Sequence, residues 1–310
     1  VNQTGAKLQE ARMDEMGASF VEVTAHGGAR PSHAVWQGRR YHRGGAVDYL
    51  GQHYEDFESA TGYGTGAGLC GWNCRHTFFV VFPELGSPPA WTQESLEALN
   101  ARNIEYDSKL YTRYEISQMQ RARERAVRKW KRRYLAEDAA GADTTASAVK
   151  LRQARQSLAD FTRATGGRVD SARTSVHGFG RSEGSKASYA ARKQERFNAA
   201  NTELQQMREA GTIKAKGRLI ESPSAPNEIN FASDHVLQRW AERGMGPMDA
   251  ERIIRSSKVA MSQRNGTQTC YYSEMGFVAI GQDGNVSSIG PLDEGGKKLM
   301  EVVKKHGIPH

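Results

Sequence analysis

The chain has 310 residues, 38% hydrophobic and 25% charged, a balance typical of a globular protein with room for two or three separate cores. No apolar run reaches the roughly 18 residues that a membrane span needs, so the sequence predicts no membrane partner. Three cysteines, Cys70, Cys74 and Cys270, lack the even count and spacing of a disulfide framework. They predict reduced thiols in a protein made in a cytoplasm.

The net charge of +8 is unevenly distributed along the chain. Residues 1–114 hold 10 Lys and Arg against 13 Asp and Glu, residues 115–230 hold 23 against 13, and residues 231–310 hold 10 against 9. The positive excess therefore lies in the middle third, where contact with a polyanion is expected.

Glycines dominate the stretch from residue 24 to residue 76, where they alternate with histidine, tryptophan and cysteine. This pattern predicts a compact set of backbone turns, held by aromatic anchors and by polar side chains that bind the turns' backbone groups. The side chains predicted to build this structural motif are His26, Arg30, His33, Trp36, Trp72, Asn73, Cys74, Arg75 and His76.

Two strings in this stretch, HGGARPSHAVWQG and TGYGTGAGLCGWNCRH, resemble the core signature of the phage minor capsid protein 2 family, which is related to the Mu F-like head morphogenesis proteins. The resemblance continues through YTRYEISQMQRARERAVRKWKRRYL and GADTTASAVKLRQARQSLADFTRATG, to roughly residue 175. Family members usually carry a further helical region ahead of this stretch. A chain that starts at Val1 is therefore expected to be a fragment or a processed product.

The resemblance implies a minor capsid or head morphogenesis protein. Its expected partners are the phage portal, other head proteins and packaged DNA. Its expected location is the virion, inside the capsid or at the portal, after assembly in the cytoplasm of a bacterial host.

Four residues of the motif, His26, His33, Cys74 and His76, also carry the imidazole and thiolate groups that Zn²⁺ prefers. Their spacing, HxxxxxxH and then CxH, matches none of the common finger or ribbon patterns. The sequence therefore favours a structural role and predicts no cofactor. A nucleophilic pair of Cys74 and His33 is weaker still, because no third residue that would orient it can be named.

In that structural role, Arg30, Asn73 and Arg75 are expected to bind carbonyl groups of the glycine-rich turns, and His33 to fill a buried polar niche.

A basic amphipathic helix is predicted from about residue 115, because Ile116, Met119, Val127, Trp130 and Tyr134 recur at helical spacing. The opposite face is cationic and would gain affinity for phosphates by releasing counterions. A solvated helix that pairs with acidic neighbours in the same particle is the alternative. The predicted nucleic-acid contacts are Arg121, Arg125, Arg128, Lys129, Arg132 and Arg133.

A second helix, capped by Asp143 or Thr144 and ending near Thr165, completes a predicted helical hairpin over residues 115–168. Residues 169–230 are expected to form a linker with one helix, from about Ser188 to Ala210, because Gly, Ser and Arg dominate up to residue 188. With residues 1–114 as the minor capsid module, these boundaries leave residues 231–310 as a separate domain.

This last domain is predicted to contain two helices, then strands at TQTCYYS, GFVAIG and VSSIGPL in an antiparallel meander, and a closing helix. The overall prediction is an α+β protein: a glycine-rich mixed domain, a basic helical hairpin, a third helix and a small α+β domain.

The element order of residues 231–310, together with the string HxxxRxxER from His235 to Arg243, weakly resembles the barnase, EndoU, colicin and RelE-like nucleases. This likeness implies metal-free RNA cleavage, with a histidine as acid or base and an arginine facing the phosphate. The alternatives are a helix-capping histidine and surface ion pairs. The candidate catalytic residues are His235, Arg239, Arg243, Tyr271, Ser273 and Ser287.

Three readings of function follow. In the first, the chain is a structural minor capsid component whose basic helices touch packaged DNA. In the second, the same head component carries a C-terminal ribonuclease-like effector, whose partners would be an RNA substrate and an immunity protein. In the third, a polymorphic toxin ribonuclease uses a phage-derived module as its delivery segment.

Overall fold

A computed structural model of the chain describes residues 2–221, 223–226, 228–231 and 234–309. Helices make up 48% of the chain and antiparallel strands 17%, which confirms the predicted α+β class. The chain divides into two compact units. Unit 1 is Val1–Arg128 with Ala154–Ser175, and unit 2 is Lys129–Gln153 with Val176–His310.

Unit 1 begins with one helix and a set of short strands around a small antiparallel sheet, in the order β2-β1-β5. Its elements up to residue 111 are α1 (Asn2–Met16), β1 (Phe20–Val23), α2 (Pro31–Ala34), β2 (Arg40–His42), β3 (Val47–Tyr49), β4 (Gln52–Tyr54), α3 (Phe57–Thr61), β5 (Phe78–Val80), α4 (Gln93–Asn100), β6 (Ile104–Tyr106) and β7 (Lys109–Tyr111). The core under the sheet includes Met13, Val21, Trp36, Phe57 and Phe78.

Both helices of the predicted hairpin are present, as α5 (Arg113–Ala139) and α6 (Thr145–Ala164). Within unit 1, the Arg123 guanidinium lies 4.1 Å from the centre of the Phe161 ring. Within unit 2, the nearby Ser147 hydroxyl and the Arg133 guanidinium keep the pKa of Glu137 below its usual value. A four-residue helix, α7 (Ser171–Thr174), follows.

The third helix differs from its prediction, because α8 (Arg181–Glu209) begins seven residues before Ser188. The Glu183 carboxylate accepts a 2.9 Å hydrogen bond from the Gly180 N–H at its start. Ser188 donates to the Gly184 carbonyl. These local bonds allow a Gly- and Ser-rich segment, predicted as linker, to be helical.

The remaining elements of unit 2 form a five-stranded antiparallel sheet in the order β12-β11-β10-β9-β8, with helices on both faces. They are β8 (Arg218–Glu221), α9 (Asp234–Glu242), α10 (Pro247–Ser256), β9 (Val259–Gln263), β10 (Gln268–Ser273), β11 (Gly276–Gly281), β12 (Val286–Gly290) and α11 (Glu294–Lys305). The two helices, three strands and closing helix predicted after residue 231 are all present, and β8 and β9 are additional.

Side chains on successive residues of β10 enter different cores, as the two-residue period of a strand requires. Tyr272 packs in the core shared with Leu204 of α8 and Leu299 of α11. Tyr271 packs in the core shared with Ile253 of α10. Helix α8 and strand β8, both within the segment predicted as a linker, are therefore structural parts of this layered arrangement.

Candidate functional site

The glycine-rich loop of unit 1 is closed by contacts between backbone segments. A Cβ atom at Gly68 would lie 1.9 Å from the Gly62 carbonyl oxygen, and one at Gly71 would lie 2.5 Å from that of Gly66. Only glycine permits such an approach. The loop is thereby held tightly enough to bring Cys74 and His76 against the short helix α2.

Helix α2 supplies His33, which is buried beside the Trp36 ring, with ring centres 4.5 Å apart. Its Nε2 lies 3.0 Å from the carbonyl oxygen of Ala67 in the glycine-rich loop. A carbonyl oxygen can only accept, so Nε2 carries the proton and Nδ1 keeps a lone pair.

His76 is held in a similar way by a buried amide. The backbone N–H of His26 donates to Gln37 Oε1 at 3.2 Å, which fixes the orientation of that amide. His76 Nε2 lies 2.9 Å from the same oxygen and therefore donates to it. The Nδ1 atom of His76 consequently carries a lone pair, and it lies 3.5 Å from Cys74 Sγ.

His33, Cys74 and His76 form one buried cluster, in which a ring nitrogen of each histidine and the Cys74 sulfur all lie within 4.8 Å of one another. Burial lowers the pKa of His33, and it lowers that of His76 to about 3. Both imidazoles are therefore neutral near pH 7, the state in which imidazole binds a metal or accepts a thiol proton.

His26, the fourth residue of the zinc alternative, lies beside this cluster. Its ring stacks on that of His76 with centres 4.2 Å apart. Its Nε2 is buried and has no hydrogen-bond partner among the described residues. Burial lowers its pKa also. The structure thus brings three of the four candidates together and leaves His26 as a stacked neighbour.

A cavity of about 250 Å³ opens beside the cluster, and His26, His33, Cys74 and His76 all contribute to its wall. Its residues from α5 and α7 lie within unit 1. Four arginines line it, and among the described residues no carboxylate does: Arg30, Arg75, Arg121 and Arg173. The cavity is therefore a cationic enclosure suited to an anion.

The other members of the predicted motif differ in how they behave. Arg30 donates a 2.7 Å hydrogen bond to the Trp72 carbonyl, as expected for a residue that satisfies a turn. Arg75 instead approaches His26, with Nη2 3.4 Å from Nδ1. Asn73 adopts a left-handed backbone with φ of 55°.

The two tryptophans have different environments. Trp36 is 5% exposed and packs in the core, as predicted for an anchor. Trp72 is 75% exposed, so its predicted role as an anchor is wrong. Its ring packs against Gly66, where a Cβ would come within 2.8 Å of it.

The sequence missed two residues of this site, Gln37 and Arg173. The Gln37 amide oxygen accepts hydrogen bonds from the His26 N–H and from His76 Nε2. Arg173 lines the cavity from α7, in the segment predicted as linker. A glutamine that follows a buried tryptophan carries no sequence signal of its own.

Residues 1–163, which include the cluster and most of the cavity wall, match the family model for phage minor capsid protein 2. The chain belongs to this family. The match therefore establishes a protein of phage heads, with a role in head morphogenesis and with head proteins as its class of partner. No curated protein and no solved structure matches the chain.

This minor capsid protein 2 family member also carries the predicted basic face on α5, within the matched region. Arg121, Arg125, Arg128 and Arg132 recur at intervals of four, three and four residues, so they form one stripe along the helix. Arg128 is half-buried and donates to the Arg173 carbonyl, whereas the other three are exposed. Lys129 and Arg133 are exposed beside the stripe, and Arg133 pairs with Glu137 at 2.5 Å.

The candidate catalytic residues lie beyond the matched region. Arg243 donates to the Ile289 carbonyl and Tyr271 to that of Ser224. Ser273 accepts from the Met275 N–H, and Ser287 donates to the Ala279 carbonyl.

These four side chains are thus engaged with the backbone of their own unit. The side chains of His235 and Arg239 lie outside the described residues, although α9 includes both positions. In the helices that the structure describes, none is long and apolar enough to cross a bilayer.

Proposed function

We propose that this head protein contacts packaged DNA through the exposed cationic stripe of α5. The observation that carries the proposal is that Arg121, Arg125, Lys129 and Arg132 are exposed on one side of a single helix, with no carboxylate partner among the described residues. From Arg121 to Arg132 the helix rises about 16 Å, enough to follow several phosphates of a duplex.

The alternative for the same face is a contact with acidic neighbours in the head. Exposed cations without carboxylate partners could bind either acidic head proteins or DNA, but only a DNA duplex presents a regular, dense array of negative charge. Binding to such an array releases counterions and therefore depends steeply on salt concentration. A steep salt dependence would thus distinguish DNA from an acidic protein.

The test measures binding of the full chain to duplex DNA across a series of salt concentrations. In the triple variant Arg125→Gln, Lys129→Gln, Arg132→Gln, the slope of log K against log salt should fall by about 0.9 for each lost phosphate contact, so by about 2.7 in total. Arg121 and Arg128 are left unchanged, because one lines the cavity and the other holds α7.

The matched control removes the same charge elsewhere, with Arg252→Gln, Arg255→Gln and Lys258→Gln, all of them exposed. Its slope should stay close to that of the wild type. An equal fall in both triple variants would reduce the effect to net charge, and an unchanged slope in the stripe variant would reject the DNA contact.

The proposal includes a position at the portal, which family resemblance supports. Heads assembled with and without the portal protein should then differ in their content of this chain, measured by quantitative mass spectrometry of purified particles. Equal amounts in both kinds of head would reject the portal position.

A C-terminal ribonuclease effector is the finer part of the proposal, and its support is the order of helices and strands after residue 231. The full chain should cleave RNA in the presence of a chelator and leave 2′,3′-cyclic phosphate or 3′-phosphate ends. His235→Ala should lower the rate by about 100-fold or more.

The absence of cleavage across varied RNAs, or full activity in His235→Ala, would remove the effector from the proposal. The polymorphic toxin reading requires in addition that the expressed chain stops bacterial growth without any other phage protein. An immunity protein would be expected to relieve that arrest.

A further inference from the structure

The buried cluster of unit 1 has the composition and surroundings of a metal site with one open position. We propose that His33, Cys74 and His76 bind one Zn²⁺ ion, whose fourth position faces the arginine-lined cavity and takes a phosphate-type oxyanion. This site shares Arg121 with the α5 stripe, but the metal ligands lie outside that stripe and the proposal does not rest on the DNA contact.

The first argument is the ligand set. Two imidazole nitrogens and one sulfur lie within 4.8 Å of one another in a buried setting. Cys74 Sγ and His76 Nδ1 are 3.5 Å apart. A tetrahedral site with Zn–S near 2.3 Å and Zn–N near 2.0–2.1 Å also separates its sulfur and nitrogen ligands by about 3.5 Å.

The second argument is the shell of hydrogen bonds around the ligands. Zinc-bound histidines almost always donate their other ring N–H to an oxygen, which fixes the ring and the tautomer. His33 does this with the Ala67 carbonyl, and His76 does it with the Gln37 amide. Since Gln37 is itself oriented by the His26 N–H, the arrangement is set before any metal arrives.

The third argument is the space next to the cluster. Three protein ligands with a fourth, open position are typical of zinc sites that bind exogenous groups, whereas purely structural sites are closed by four. Here the three ligands share a cavity of about 250 Å³ with four arginines. Arg173 has a carboxylate partner, Asp170 at 3.4 Å.

Arg30, Arg75 and Arg121 have no such partner in the described part of the chain. An oxyanion on the metal would place negative charge among these guanidinium groups, which bind phosphate oxygens in pairs.

The decisive experiment uses the full chain, reduced, stripped with a chelator and then loaded with Co²⁺ as a spectroscopic substitute for Zn²⁺. One equivalent should produce a thiolate-to-metal charge-transfer band and the intense visible bands of a tetrahedral ion, both removed by added Zn²⁺. A chain that binds no metal, or several equivalents without the thiolate band, would overturn the proposal.

The variants compare two buried cysteines of the same core. Cys74→Ser should lose the thiolate band, and the matched Cys70→Ser should keep it, since Cys70 is outside the cluster of candidate ligands. Loss of the band in Cys70→Ser with retention in Cys74→Ser would reject the assignment.

In case Cys74→Ser fails to fold, X-ray absorption of the zinc-loaded wild type counts the ligands directly. One sulfur and two imidazoles are expected, and a shell without sulfur would contradict the site. Gln37→Met leaves the three metal ligands in place and removes the hydrogen bonds that Gln37 makes with His76, the His26 N–H and Asn100, so it should weaken metal binding by about 10- to 100-fold.

The oxyanion is tested with inorganic phosphate added to the Co²⁺ protein. The visible bands should shift, and either Arg121→Gln or Arg173→Gln should weaken this response about tenfold while leaving the thiolate band intact. Arg163→Gln, an exposed change in the same unit but away from the cavity, should have no effect. Visible bands that do not change when phosphate is added would contradict an open fourth coordination position.

Discussion

The cores of the two units are built on different principles. Of the nine buried polar or charged residues in the described part of the chain, eight lie in unit 1 and one, Ser147, lies in unit 2. Beside its apolar core, unit 1 contains buried hydrogen bonds that must be matched and glycines that let backbone segments touch. Unit 2 folds around a sheet covered by apolar helix faces.

This difference teaches where each unit tolerates change. An apolar core accepts substitutions that keep its volume, because dispersion and burial have little directionality. A core of matched polar groups does not, since a single lost partner leaves another group buried and unsatisfied. The same rigidity that makes unit 1 intolerant holds its cluster in place.

The largest effect is expected from backbone contact in unit 1. In Gly68→Ala the new Cβ would meet the Gly62 carbonyl at 1.9 Å, so we expect a loss of about 4 kcal/mol or a failure to fold. Gly5→Ala in α1 has open space, and it should stabilise by about 0.5–1 kcal/mol. Denaturant unfolding measures both, and a neutral Gly68→Ala would show that the loop can move apart.

Creating a cavity in the core of unit 2 should have the next largest effect on stability. Leu299→Ala removes a fully buried side chain of α11 from the core that it shares with α8 and the sheet, at an expected cost of about 2–5 kcal/mol. Met248→Ala, at an exposed position of α10, should change stability by less than about 0.5 kcal/mol. Similar costs for the two variants would contradict the layered core.

As the pH falls, the two units should lose stability at different pH values. The pKa of His76 is lowered by burial from 6.5 to about 3, so the unfolded chain takes up its proton first and unit 1 loses stability as pH falls from 6.5 towards 3. In chelator, we expect a loss of about 2–3 kcal/mol between pH 6 and pH 4.

In unit 2, hydrogen bonds from Lys305 and His306 lower the pKa of Glu203, whose contribution is lost only below pH 4.5. Amide hydrogen exchange across this range resolves the two units. Loss of protection in unit 2 before unit 1 would refute the ordering, and His76→Gln should flatten the response of unit 1.

Surface ion pairs should have the smallest effect in either unit. Arg163 pairs with Asp160 in unit 1 and Lys304 with Glu274 in unit 2, both at 3.0 Å and largely exposed. Arg163→Ala and Lys304→Ala should each cost less than about 0.5 kcal/mol in thermal unfolding. A larger cost in only one unit would indicate that its pair belongs to a wider network.

The sequence predicted the elements whose side chains repeat with a clear period. Helices α5 and α6 and the strands β10, β11 and β12 lie where periodicity indicates them. Strand β9 carries Val259, Ala260 and Met261 in succession, all buried, so it lacks the alternation that marks a strand with one exposed face. The four-residue strand β8 was not predicted, because it lies in a segment with the composition of a linker.

The candidate site was predictable in its residue types and not in its geometry. His33, Cys74 and His76 are named by the sequence, but their convergence depends on the Ala67 carbonyl and the Gln37 amide, tens of residues away from their partners. Backbone acceptors and close glycine contacts leave no pattern that one sequence can show. Trp72 is the opposite case: its residue type suggested a buried anchor, but its side chain is exposed.

The sheet of unit 2 limits where genes for such proteins can recombine. Strand β8 pairs with β9, and Leu204 of α8 packs with Leu299 of α11. An exchange at residue 231 would separate β8 and α8 from the strands and helix that they cover. Crossovers that deliver a working C-terminal unit must therefore fall ahead of Arg181, and a natural chimera joined between α8 and α9 would need matching partners on both sides of its junction.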